Sequence, residues 1–144
     1  MKTKFNAEDL KDHHGVSAII YDEYDNILMQ NHKKLKLWTI PIGKVKEGQP
    51  ALDALKKELL EECGITVNEC KEVGCFSKIY KRFGISVKIT QHIFLIKDYS
   101  GQPENLEPHK HESQVFMSLK EIKKIRNLSD ATMHMIYHLP KNKG

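Results

Sequence analysis

Residues 38–65, WTIPIGKVKEGQPALDALKKELLEECGI, decide the fold, because a glycine-containing loop there leads into a short acidic helix. Pro50 suits the first helical position, where a backbone N–H is not needed, and Gly64 suits the left-handed residue that ends a helix. The pattern therefore predicts a helix over residues 50–63. The apolar residues that fall near one side of this helix are Ala51, Leu52, Leu55, Leu59 and Cys63.

Three glutamates of this helix share one side. Glu58, Glu61 and Glu62 recur at spacings of three and four residues, which places their carboxylates close together. Because like charges repel, such a cluster gains stability when a cation neutralises it, and Mg²⁺ and Mn²⁺ prefer carboxylate oxygens. From spacing alone, two interpretations stay open: a divalent-cation site, or a solvated helix face with Lys56 and Lys57 as surface partners.

The loop and the helix together resemble the Nudix box, GX5EX7REUXEEXGU, in which U is an aliphatic residue. The chain has Gly43, five residues, Gln49, seven residues, and then KELLEECGI over 57–65. The matching positions are Gly43, Glu58, Leu59, Glu61, Glu62, Gly64 and Ile65. This segment therefore resembles the box of the MutT-like Nudix hydrolases.

The chain departs from the box at two chemically important positions. The loop glutamate is replaced by Gln49 and the arginine by Lys57, which lacks the planar fork that orients a carboxylate. Ile42, just before the box, stands where relatives often have glycine, and Lys46, at an unspecified position within the box, stands where they often have a further glutamate. The backbone carbonyl of Ile42 can still serve as a ligand. With Gln49 neutral, we expect weaker metal affinity than is usual in the family.

The resemblance implies an α/β fold, the Nudix fold, in which a mixed β-sheet is sandwiched between α-helices. It implies one such domain over residues 1–144, with the box at 43–65. The implied activity is metal-dependent hydrolysis of a pyrophosphate bond in a nucleoside diphosphate linked to another moiety, by attack of water on phosphorus. The implied cofactor is Mg²⁺, with Mn²⁺ as a substitute.

The resemblance also implies roles for individual residues. Glu58, Glu61 and Glu62 are the expected metal ligands, and Glu58 is also a candidate to deprotonate the attacking water. Glu112 is the alternative base, since relatives bring a further glutamate from this region. Lys57 is expected to orient the acidic cluster.

A catalytically degenerate Nudix domain that binds a nucleotide for regulation is the alternative function, supported by the four departures named above. The expected partner is a small nucleoside diphosphate derivative, and the family also allows a homodimer. The net charge of +4 and the pI near 8.9 are compatible with a phosphate-rich ligand. There is no continuous basic and aromatic stripe, so RNA or another nucleic acid is a weaker candidate.

Length and composition point to one domain without disulfides. A chain of 144 residues can bury a sizeable core. Cys63, Cys70 and Cys75 lack CxxC spacing, which predicts free, buried thiols. The sequence has no signal-peptide pattern and no apolar run long enough to span a bilayer, so we expect a cytoplasmic protein without a membrane partner.

In the rest of the chain, the sequence predicts five strands followed by two helices. Strands are predicted over 16–21 and 26–30, as a hairpin, and over 71–80, 85–96 and 114–118, with helices over 119–125 and 129–139. The core-facing residues predicted in the last helix are Met133, Ile136, Tyr137 and Leu139. Trp38 is expected to pack beside the acidic helix or to stack on a base. His109 and His111 of the long polar loop over 98–113 are either exposed or metal ligands.

Overall fold

Helix α1 (Ala51–Cys63) lies where the sequence predicts it in the computed structural model, which describes residues 6–138. Pro50 is its N-cap, with extended ψ, rather than its first helical residue. Gly64 adopts the left-handed conformation with φ 71° and donates from its N–H to the carbonyls of Leu59 and Leu60. The glycine ends the helix because this conformation costs it little.

A short 3-10 turn, Glu8–Leu10, precedes the first strand. In chain order the elements are β1 (His13–Ile19), β2 (Ile27–His32), β3 (Leu37–Thr39), β4 (Ile42–Val45), α1, β5 (Thr66–Arg82), β6 (Ile85–Ser100), β7 (His111–Met117), α2 (Leu119–Ile122) and α3 (Asp130–His138).

The strands form two sheets. One has the order β4-β1-β6-β5 and the other β3-β2-β7. The β1–β6 pair is parallel and the other pairs are antiparallel, so the predicted mixed pairing is confirmed. The predicted hairpin is wrong beyond its turn: Tyr21 bridges Ile27, but β1 and β2 then enter different sheets.

Alternate residues of the strands enter two hydrophobic cores. Val16 and Ala18 of β1 pack in a first core with the buried side of α1, whereas Ile19 packs in a second core with Met135 of α3. Strand side chains alternate between faces, so both faces of the sheets are covered by helices. The predicted α/β/α arrangement is therefore confirmed. Trp38 packs against the second core rather than beside α1.

The predicted buried face of α3 is largely wrong. Met133 and Tyr137 are exposed, while Thr132 and Met135 are buried and Ile136 packs against the second core. The reason is that the Ser129 and Thr132 hydroxyls are hydrogen-bonded to each other. The side of the helix that faces the core therefore carries Ala131, Thr132 and Met135. Residue 139 lies outside the described residues.

The polar loop between β6 and β7 covers the end of α1. Strands β6 and β7 extend further than predicted, which leaves residues 101–110 between them. Leu106 N donates to the carbonyl of Glu62 and Glu104 N to that of Cys63, both at 3.0 Å. These bonds satisfy carbonyls that a helix end leaves unpaired.

All three cysteines are free, as predicted, but only Cys63 is buried, since Cys70 is half-buried and Cys75 is exposed. Among residues 6–138, no helix is both long enough and apolar enough to cross a membrane.

Candidate active site

A cavity of about 790 Å³ lies beside α1, and several distant segments of the chain line it. Glu58 and Glu62 of α1, Gly43 of β4, Tyr80 of β5 and Asp130 of α3 are all on its wall. Pockets for small ligands and cofactors usually have volumes of roughly 300–1,000 Å³. The cavity can therefore hold a nucleotide.

Two of the predicted carboxylates meet in this cavity. Glu62 is 4% exposed, and its carboxyl is hydrogen-bonded to that of Glu58. Burial, and then the adjacent Glu58 carboxylate, raise the pKa of Glu62 well above its usual range. Ionisation of the buried Glu62 carboxyl beside the half-buried Glu58 carboxylate is unfavourable unless a cation lies with them.

Gly43, the first residue of the box, makes room for this pair. A Cβ at position 43 would lie 2.8 Å from Glu58 Cδ, which no side chain tolerates without displacing the carboxyl. Strand β4 crosses α1 at this point, so the close approach of backbone and carboxylate requires glycine.

Cations line another part of the same wall. Lys44 of β4 is hydrogen-bonded to Asp9, and Arg82 Nη1 donates to the carbonyl of Asp9 at 2.8 Å. Both cationic residues line the cavity. The wall therefore combines buried carboxylates with positive charge, as a phosphate ligand and its counter-ion require.

Lys110 and His111 are next to the carboxylates. The sequence predicted no role for Lys110 and left His111 as either an exposed residue or a metal ligand; the structure shows that His111 is buried. Lys110 lines the cavity; burial lowers its pKa, but the carboxylates of Glu107 and Glu62 raise it by more. His111 is 1% exposed, with Nε2 3.6 Å from Glu62 Oε1. Burial, and then His32, lower the pKa of His111 to about 4, so it is neutral at pH 7. The sequence placed both residues in a polar loop, whereas His111 begins β7, and nothing in the local pattern distinguishes Lys110.

The other predicted site residues lie outside the cavity wall. Glu61, Lys57 and Glu112 are exposed, and none of the three lines the cavity. Within β7 the side chains alternate, so the inward direction of His111 turns Glu112 towards solvent. Lys57 forms no ion pair with any residue in the described range 6–138, so no contact supports its expected orienting role.

Gln49 has a role within the loop. Its Oε1 accepts from Lys46 N at 3.1 Å, and its own N–H donates to the Lys46 carbonyl at 2.9 Å. The side chain closes the turn before α1. The expectation that a neutral residue here weakens metal binding therefore rests on charge alone, without a contact to Glu58 or Glu62.

Comparison with known families decides the assignment. The model of the NUDIX domain matches residues 11–137, which is nearly the whole chain. The chain belongs to the NUDIX domain family. The resemblance that the box predicted is confirmed.

Relatives of this Nudix chain include MutT-like proteins. A protein of Buchnera aphidicola subsp. Schizaphis graminum described as 8-oxo-dGTP diphosphatase is 31% identical over 74% of this chain and 75% of its own length. A second, from Buchnera aphidicola subsp. Acyrthosiphon pisum, is 38% identical over 51% of this chain, a match that spans 56% of that relative. The MutT NUDIX hydrolase of Burkholderia pseudomallei is 25% identical, with a TM-score of 0.76 over 88% of this chain and 96% of that one.

The residues present fit the divalent cation that Nudix hydrolases generally use. The donors on the wall are carboxylate oxygens, which hard cations such as Mg²⁺ prefer. A cation between Glu58 and Glu62 would relieve the repulsion that now keeps a proton on the pair. The backbone at Gly43 packs directly against the Glu58 side chain, with no room for a Cβ between them.

Proposed function

We propose that this Nudix chain hydrolyses a pyrophosphate bond in a nucleoside diphosphate linked to another group, with a divalent cation. The observation that carries the proposal is the pair of adjacent carboxylates, buried Glu62 and half-buried Glu58, on the wall of a nucleotide-sized cavity. Family membership and the names of the relatives support the same reaction class. A module that only binds nucleotides has no chemical need for such a strained pair.

Glu58 and Glu62 would hold the cation, with the exposed Glu61 of the same helix as the third ligand. Mg²⁺ or Mn²⁺ held there supplies charge neutralisation for the phosphates and acidifies water. Glu58 is our candidate to take the proton from the attacking water. It is favoured over Glu112 because Glu58 lines the cavity and Glu112 does not.

The cationic residues would stabilise the phosphate chain. Lys110 lies beside the acidic pair, and Lys44 is held by Asp9. Positive groups that are already in place stabilise the negative charge on the phosphoryl oxygens as the bond to the leaving group breaks. Lys57, exposed on α1, has no part in this proposal.

A purine nucleoside triphosphate is the substrate class that we propose. The relatives are described as acting on 8-oxo-dGTP. Tyr80 offers a ring at the cavity wall, and its hydroxyl donates to Asp130, which also accepts from Lys78 at 3.0 Å. The carboxylate of Asp130 is then fixed as an acceptor for the N–H groups of a base.

The test is release of phosphate or pyrophosphate over a panel of substrates with Mg²⁺ and with Mn²⁺. The panel contains nucleoside triphosphates, 8-oxo-dGTP, sugar nucleotides and dinucleotides. We expect turnover of purine triphosphates and a loss of at least about 100-fold in Glu62→Gln. The matched control is Glu69→Gln, an exposed glutamate of β5 that does not line the cavity, which should keep full activity.

Two results would overturn the proposal. Equal activity in Glu62→Gln and in the control would remove the carboxylate pair from the reaction. Tight nucleotide binding with no turnover at any metal concentration would replace the hydrolase with a binding module.

A further inference from the structure

A second group of metal-ligating side chains lies on the four-stranded sheet. Glu72 and Cys75 of β5 and His92 of β6 each offer one ligand atom, and these atoms lie within 4.8 Å of one another. None of the three lines the cavity. The group is therefore separate from the acidic pair of α1, and the proposed reaction does not use it.

An irregularity in β5 brings the three side chains together. Residues three apart in a regular strand point to opposite faces. In β5 the pairing shifts between Glu72 and Gly74, so that Glu72 lies opposite Phe94 and Cys75 opposite His92. Phe94 and His92 are two residues apart and share a face, and hence Glu72 and Cys75 share it too. Strand irregularities of this kind commonly redirect side chains at functional sites.

The His92 ring is held from both sides. Its Nε2 lies 2.8 Å from His14 Nδ1 on the neighbouring strand β1, and its Nδ1 lies 3.2 Å from Glu72 Oε2. The two imidazole rings are nearly coplanar and meet edge to edge, with centroids 5.1 Å apart and planes 13° apart. A ligating histidine typically has its second ring nitrogen fixed by a hydrogen bond, as this arrangement provides.

We propose that Glu72, Cys75 and His92 form a binding site for a borderline-soft divalent cation of the Zn²⁺ type, with His14 orienting the His92 ring. Zn²⁺ binds thiolate, imidazole and carboxylate ligands together, and three protein ligands leave a fourth position for water. Mg²⁺ prefers oxygen ligands alone. The two groups in this protein therefore select different metals.

Binding changes the protonation of the site in a defined way. The Cys75 thiol loses its proton to solvent, because the metal takes a lone pair of the thiolate. Neutral His92 has one ring proton, and the tautomer that would bind the metal through Nδ1 carries that proton on Nε2. His92 then donates this Nε2 proton to His14 Nδ1. The bound cation would tie β5, an edge strand, to β6, and through His14 to β1.

Cobalt absorption is the direct test, because a thiolate ligand gives Co²⁺ a charge-transfer band that oxygen ligands do not give. Untagged, reduced, full-length protein is titrated with Co²⁺, and Zn²⁺ is then added. We expect the band to appear, to be bleached by Zn²⁺, and to be lost in Cys75→Ser. His92→Gln and Glu72→Gln should each weaken Co²⁺ binding at least about ten-fold.

Two variants serve as controls. Cys70→Ser changes a half-buried cysteine of the same strand that is outside the cluster, and Glu62→Gln changes the acidic pair of α1. Both should keep the band. Zn²⁺ should also raise the melting temperature of the wild type and of Glu62→Gln, but not that of Cys75→Ser.

The proposal is overturned if the wild type gives no thiolate band up to millimolar Co²⁺, or if Cys75→Ser keeps the band. Circular dichroism of each metal-free variant separates loss of the site from loss of the fold. Both readouts are independent of hydrolysis, so the outcome stands whether or not the reaction proposed above is correct.

Discussion

At the level of single residues, the tightest fit in the cavity is that of Gly43 against Glu58. We expect Gly43→Ala to displace the Glu58 carboxyl, because the added Cβ would lie 2.8 Å from Glu58 Cδ. Turnover should fall at least about ten-fold, and binding of Mn²⁺ should weaken in parallel. Lys46→Ala, an exposed change in the same loop, is the matched control and should leave both unchanged. Unchanged Mn²⁺ binding in Gly43→Ala would count against a metal role for Glu58.

Asp9 gives a prediction about pH. Burial raises its pKa, but Lys44 and the backbone of Asn6 lower it by more, so the pKa of the folded carboxyl lies below its unfolded value. The stability from this contact is therefore present above about pH 4 and is lost as pH falls through the folded pKa. We expect Asp9→Asn to lower the free energy of unfolding by about 1–3 kcal/mol at pH 7.

Urea unfolding of the wild type and Asp9→Asn over a range of pH checks this. The difference between them should shrink as the pH falls below the folded pKa, because a protonated Asp9 resembles asparagine. A difference that is the same at pH 3 and pH 7 would show that the charge on Asp9 is unimportant.

The residues of the box could be predicted because their spacing is fixed by chemistry within one helix. Glu58 and Glu62 line the cavity, whereas Glu61 and Glu112 do not, and the direction of Glu112 depends on where β7 begins. Lys110 and His111 reach the acidic pair through the path of the loop after β6. That path depends on tertiary contacts, so local sequence could not reveal it.

At the level of elements, the end of α1 is fixed by Gly64 and by the loop that covers it. Gly64 has a left-handed backbone with φ 71°, a conformation in which a residue with a Cβ is strained. A Cβ at this position would also lie 3.1 Å from Leu106 Cδ1. We expect Gly64→Ala to lower the free energy of unfolding by about 1 kcal/mol. Hydrogen exchange should then be faster in the last turn of α1. Unaltered stability and exchange would mean that the loop, and not the glycine, fixes the helix end.

Helix α1 was predictable because a proline, an apolar stripe and a glycine define it locally. The extents of β5 and β6 were underestimated, since their outer residues are exposed and lack strict alternation. The hairpin of β1 and β2 was wrong because only the turn is local. The partners of β1 are β4 and β6, the second of which lies more than 70 residues later, and periodicity carries no information about such pairings.

At the level of the whole molecule, the cavity exists only because two sheets and three helices are assembled. Its wall combines residues from Asp9 to Ala131. The Nudix motif predicted the acidic corner and, through the family, the α/β/α arrangement. The motif could not predict the cationic and aromatic residues of the cavity wall, because those residues come from strands and loops with no motif of their own.

The central claim is that Glu58 and Glu62 share one divalent cation. The most direct test is Mn²⁺ binding by electron paramagnetic resonance, in which bound Mn²⁺ loses the signal of the free ion. Binding should weaken at least about ten-fold in Glu58→Gln and in Glu62→Gln. It should be unchanged in Glu69→Gln. Wild-type affinity in both cavity variants would contradict the account, because the acidic pair would then have no cation to hold.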